Sequence, residues 1–106
     1  MDRIASYLRD SKYILIIKFY NVYMAYRTRE EIFASILDVA GSGAGITRSK
    51  IMFGSYLTYA QVVEYSKILI QRGLLEFDPI NRTYKTSPSG FTYIQLQNEL
   101  NQLVKI

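Results

Sequence analysis

The chain of 106 residues contains no cysteine, no histidine and no tryptophan, and has only two prolines and six glycines. Without cysteine there is neither a disulfide framework nor a thiolate metal site, and the chain is compatible with a reducing cytosol. The loss of histidine as well removes the usual zinc ligands and the common general base near neutral pH. A catalytic constellation would have to be built from Asp, Glu, Lys, Tyr and Ser. These absences argue against an enzyme, a metal or a cofactor, and no small-molecule ligand is evident. The stretch "GSGAG" at 41–45 lacks the Lys-Ser/Thr of a P-loop and reads as a flexible connector. Long hydrophobic runs are missing too. The most apolar stretch, "YILIIKFYNVYMAY" at 13–26, is interrupted by Lys18 and Asn21 and falls short of the ~20 apolar residues of a bilayer span. A membrane partner is not expected, and no small-residue cleavage site follows the run to mark a signal peptide. It reads as an extra helix or strand packed on the domain, or as a segment outside the natural chain if Met24 is the true start.

What is present fits one domain with a single modest core. The net charge is +4 and the pI about 9.4, which permits a polyanionic partner without requiring one. Most of the excess is in the first quarter: residues 1–27 carry five Lys/Arg against two acids, a net of +3, which leaves residues 28–106 at only +1.

From Thr28 the pattern is helical. Thr28 with Glu31 three residues on is a capping box, and Glu30 and Glu31 suit the positive end of a helix dipole. Ile32, Phe33, Ile36, Leu37 and Ala40 then recur at helical spacing, and Gly41 ends the run. Ile46 has room to be a short strand. Thr47 caps a second helix through about Phe53, closed by Gly54, with Ile51 and Met52 inward and Arg48 and Lys50 exposed near its start. Leu57 is a buried plug. Thr58 caps a third helix whose inward residues are Val62, Tyr65, Ser66 and Leu69, and Gly73 stops it. The period then alternates. Leu75 and Phe77 oppose Glu76, "DPIN" supplies a turn, and Thr83–Ser87 alternates around Tyr84, which predicts a β-hairpin. Ser87 and Pro88 start a last helix in which Tyr93, Leu96, Leu100 and Leu103 form a short heptad seam. The aromatic stripe Tyr65, Phe77, Tyr84 and Phe91 reads as core.

The predicted fold class is mostly α with a small β-hairpin: a winged helix-turn-helix over 28–87, preceded by an extension at 1–27 and followed by an added C-terminal helix at 88–106. In such a fold the second helix of the pair puts its first turn into the major groove. Thr58, Tyr59 and Gln61 are then candidates to meet base edges or phosphates, Gln61 being able to pair bidentately with adenine. Arg48, Lys50, Lys67, Arg82 and Lys85 are candidates for phosphates, which fix position without reading sequence. Glu64 works against phosphate or accepts from a cytosine amine. A solvated coat of isolated cations is the plain alternative for each of these residues.

The segments Lys50-Ile51-Met52-Phe53, Leu57-Thr58-Tyr59-Ala60-Gln61, Gly73-Leu74-Leu75 and Tyr84-Lys85-Thr86-Ser87 with Gly90 form a linked series. In this series the chain resembles the archaeal winged-helix regulators of the ArnR-like kind and related archaeal DNA-binding proteins that dimerise through a C-terminal antiparallel coiled coil. The resemblance covers about residues 28–106. It implies an archaeal source, a homodimer through Tyr93, Leu96, Leu100 and Leu103, and a cytoplasmic, nucleoid-associated regulator that binds double-stranded DNA. Two departures bear on this: Phe53 stands where the pattern has Tyr, and the last helix is short for a long coiled coil, so the dimer is expected to be weaker or to be assembled partly by the extension. Winged helices also serve as protein-docking modules, and the near-neutral charge of 28–106 favours that alternative.

Overall fold

Three threonines in extended backbone conformation each open a helix. Thr28 Oγ1 accepts from the Glu31 N–H at 3.1 Å while the Glu31 carboxylate accepts from the Thr28 N–H, and α1 (Arg29–Ala40) follows. Thr47 accepts from the Lys50 N–H and starts α2 (Arg48–Ser55). Thr58 starts α3 (Tyr59–Gln71) with a second complete capping box, closed by Gln61. These elements belong to a computed structural model that describes residues 27–104. The element expected within the apolar run at 13–26 lies outside the described residues.

The apolar spacing of α1 translates directly into burial. Ile36, Leu37 and Ala40 are fully occluded and Ile32 and Phe33 nearly so, joined by Ile51 of α2, Leu57 of the connection, and Val62 and Leu69 of α3. Tyr65 reaches this core edge-on to Phe33, with ring centroids 5.7 Å apart. Gly73 at φ 74 closes α3: the Leu74 N–H returns to the Leu69 carbonyl and the Gly73 N–H to the Ile70 carbonyl.

The end of α2 differs from the expectation at Gly54. The helix continues through Ser55 and closes at Tyr56, which takes left-handed backbone angles (φ 57, ψ 45). There the Leu57 N–H reaches the Met52 carbonyl at 3.1 Å and the burial of Leu57 holds the turn. Gly54 serves contact instead, because a Cβ there would come within 2.9 Å of the Val39 side chain of α1.

The hairpin pairs β1 (Leu75–Asp78) with β2 (Thr83–Thr86) in antiparallel register, Phe77 opposite Tyr84 and Glu76 opposite Lys85. Ile46 adds the short strand foreseen for it as a single bridge to Tyr84, with hydrogen bonds of 2.9 and 2.7 Å. Asp78 folds the turn: its carboxylate accepts from the backbone N–H groups of Ile80 and Asn81 and from the Asn81 amide. Ser87 then caps α4 (Pro88–Val104), accepting from the Gly90 N–H and donating to the Gly73 carbonyl at 2.6 Å.

The protein is thus mostly helical, four helices with one small antiparallel hairpin among the described residues. Two aromatic residues expected in the core are not there. Phe77 is 41% exposed and Phe91 50% exposed, because β1 and the start of α4 lie at the rim of the core, where one side of each ring has no layer above it. In the C-terminal seam, Tyr93 turns inward and donates from its hydroxyl to the Glu30 carbonyl, while Leu96, Leu100 and Leu103 remain exposed.

Candidate nucleic-acid interface

Helix α3 buries Val62, Ser66 and Leu69 and so turns Tyr59, Ala60, Glu64 and Lys67 outward. The alanine leaves a shallow hollow on this face, walled by Tyr59, Val63, Glu64, Lys67 and Ile68. Thr58 and Gln61 are committed to the cap. The Gln61 side-chain oxygen accepts from the Thr58 N–H at 2.9 Å, so pairing both of its amide groups with adenine requires release of that bond. Its amide N–H groups carry no partner among the described residues.

Arg48, half-buried at the start of α2, spans the distance between the helix pair and the hairpin. Its Nε and Nη2 donate to the Tyr84 hydroxyl at 3.3 and 2.8 Å, and its Nη1 donates to the Tyr59 hydroxyl at 3.0 Å. The guanidinium carbon lies 5.6 Å from the Tyr59 ring centroid and 5.9 Å from that of Tyr84, within the range of cation–π attraction. The hydrogen bond to Tyr84 raises the Arg48 pKa above its ordinary value, against burial, with a smaller contribution from Tyr59. The positive charge is permanent.

Beside this cluster a cavity of about 420 Å³ opens between the start of α3 and the hairpin, lined by Arg48, Tyr59, Phe77, Arg82 and Tyr84. Arg82 takes left-handed backbone angles (φ 56) at the hairpin turn. The structure therefore brings together Arg48, Tyr59 and Arg82, with Lys67 farther along α3. It sets two of the expected cations apart. Lys85 follows Tyr84 in β2 and points to the opposite face of the hairpin, across from Glu76. Lys50, two positions from Arg48 on a helix, faces away from it. Tyr84 lies in the core as expected and joins this cluster through its hydroxyl, while Phe77, assigned to the core by the alternating pattern, lines the cavity instead. The one signal available was that a buried tyrosine, unlike phenylalanine, needs a polar partner for its oxygen.

Arg27, assigned by the sequence to the extension, donates from Nη2 to the Ser55 carbonyl at 2.7 Å and so ties the chain before α1 to the end of α2.

A helix pair joined by a tight turn, with a two-stranded hairpin behind it and cations where the two meet, defines the helix-turn-helix class in its winged form. Family comparison agrees: residues 26–105 match the winged helix-turn-helix family, and the chain belongs to it. No curated protein matches the sequence.

Proposed function

We propose that the protein is a homodimeric DNA-binding regulator of transcription, which sets α3 in the major groove and lays the wing, residues 78–83, along the backbone. The observation that carries this reading is the bare outer face of α3, with Tyr59, Ala60, Glu64 and Lys67 turned to solvent and the guanidinium groups of Arg48 and Arg82 at its leading end. Tyr59 and the amide N–H groups of Gln61 are the reading groups. Lys50, Lys67, Arg82 and Lys85 take phosphates from different sides, and Thr58 keeps the leading turn of α3 in shape. Arg48 divides its donors between the two phenols and the backbone of the duplex. Winged helix-turn-helix membership supports DNA binding.

The homodimer rests on Leu96, Leu100 and Leu103, which step along α4 at helical spacing and remain exposed, while Tyr93 is used internally. The resemblance to archaeal regulators supports an archaeal source, a place on the nucleoid in the cytoplasm, and a role without catalysis.

One observation favours a second reading, a protein-interaction module: Glu64 sits in the middle of the α3 face, and residues 28–106 carry a net charge of only +1. A gel-shift titration of the intact chain against mixed duplex DNA at low salt separates the two. Retardation that weakens as salt rises supports the regulator. Unchanged mobility at every protein concentration gives the face to a protein partner.

A further inference from the structure

The cavity between α3 and the wing has an unbalanced chemistry. Both phenol oxygens accept from Arg48, which turns their own protons away from it, and neither Tyr59 nor Tyr84 donates to an acceptor among the described residues. The Arg48 fork has five N–H groups and these bonds use three of them. Arg82 adds a second guanidinium, and no carboxylate lines the space. One wall is apolar: the Phe77 ring, tilted at 46° with its centroid 4.9 Å from that of Tyr84, leaves much of its surface open.

A second hollow, about 300 Å³, shares Arg48, Phe77 and Tyr84 with the first and continues behind α3 to Ser66 and Lys67. Ser66 is only 3% exposed, and its Oγ has no hydrogen-bond partner among the described residues. An unpartnered buried hydroxyl is unfavourable unless something else meets it. The left-handed backbone at Arg82 is a further local cost of the kind that gathers at binding sites. A set made almost entirely of donors, beside an aromatic wall and within the volume range of small-molecule sites, calls for an acceptor-rich anion carrying a flat ring.

We infer that this cleft is a binding site for a small aromatic phosphate, an aryl or nucleoside monophosphate, with the phosphate between Arg48, Arg82 and the two phenol hydroxyls and the ring against Phe77. The binding stands independently of the DNA reading. Its regulatory consequence rests on that reading: the ligand fills the space between the reading helix and the wing, so it competes with duplex DNA for Arg48 and Arg82. A phosphodiester of the DNA backbone offers the same oxyanion without the ring, and the two sources are told apart by whether the ring contributes.

The test is isothermal titration calorimetry of the full chain, without DNA, using phenyl phosphate, inorganic phosphate and phenol at constant ionic strength. Phenyl phosphate is expected to bind one site per chain, about tenfold or more tighter than inorganic phosphate, with no saturable binding of phenol. Tyr59→Phe and Arg82→Asn change exposed positions, and asparagine accepts left-handed backbone angles. Each should weaken phenyl phosphate about tenfold, the scale of one charge-assisted hydrogen bond. Absence of saturable binding overturns the inference. So does equal affinity for inorganic phosphate, which is the signature of a backbone contact alone, and so does binding that both variants leave unchanged.

Discussion

A phenol as buried as Tyr84, only 3% exposed, needs a partner for its oxygen, and the partner arrives from 36 residues away as the guanidinium of Arg48. Two donors of one rigid fork meet a single hydroxyl while a third reaches Tyr59, so the start of α2, the start of α3 and the second wing strand are held by one side chain. An ammonium cannot reproduce this planar division of donors. Tyr84→Phe removes the shared acceptor and keeps the ring, and is expected to lower stability by about 1–2 kcal/mol. Urea denaturation measures this. Combined with Arg48→Lys the losses should be clearly less than additive, because both changes break the same bonds. Additive losses would mean that Arg48 and Tyr84 stabilise the fold separately.

At the scale of elements, α3, the proposed reading helix, has a residue with two uses. Gln61 completes the cap of α3 and also lies on its leading turn. Gln61→Glu keeps the box, since a carboxylate accepts equally well at that position and favours the helix N-terminus by a few tenths of a kcal/mol. Thermal unfolding should therefore hold or rise slightly while affinity for duplex DNA falls. Thr58→Ala should instead lower stability by about 1 kcal/mol through loss of the cap. The wing has its own signature. The Asn81 amide first, then the backbone N–H groups of Ile80 and Asn81, hold the Asp78 carboxyl below the usual carboxylate range. A lowered folded value stabilises the turn fully above the unfolded value of about 3.9, and the contribution is lost as pH falls through the folded value. Amide resonances of Ile80 and Asn81 should hold steady down to about pH 4 and move only below it, and in Asp78→Asn they should show no such step.

The elements also show where a sequence is readable. Thr28, Thr47 and Thr58 announce helix starts through bonds only three residues long, and the spacing of Ile32, Phe33, Ile36, Leu37 and Ala40 marks a buried stripe, because both signals are local. Gly54 misleads for the opposite reason: its lack of a side chain answers Val39 on another helix and not its own backbone. The inward turn of Tyr93 and the pinning of Arg48 likewise depend on partners 63 and 36 residues away. Position on a face is readable from periodicity, and the alternation around Tyr84 already sends Lys85 to the opposite face of β2; that Arg48 meets Tyr84 is not readable, since 36 residues separate them.

For the whole molecule, the proposed assembly falls on α4. Its first turns are fastened to the domain by Ser87, by Tyr93 and by Gly90, where a Cβ would run into the Leu74 carbonyl and the Thr86 methyl. Leu96, Leu100 and Leu103 remain exposed beyond these fastenings. Replacing Leu96, Leu100 and Leu103 together by Gln should shift the sedimentation coefficient from dimer to monomer, keep the helical circular-dichroism signal of the folded domain, and lower the unfolding temperature only by the lost contribution of association. A dimer that persists in this variant would place the interface elsewhere.

DNA binding as proposed requires the outer face of α3 and the adjoining wing to meet the phosphates of a duplex. Fluorescence anisotropy of labelled duplex DNA, titrated over a range of salt with the wild-type chain and with Lys67→Ala combined with Arg82→Asn, measures this directly. Loss of two phosphate contacts per protomer, four per dimer, should weaken binding and flatten the slope of log K against log salt by about 3.6. A double variant that binds as tightly as wild type, with the same slope, would contradict the docking face.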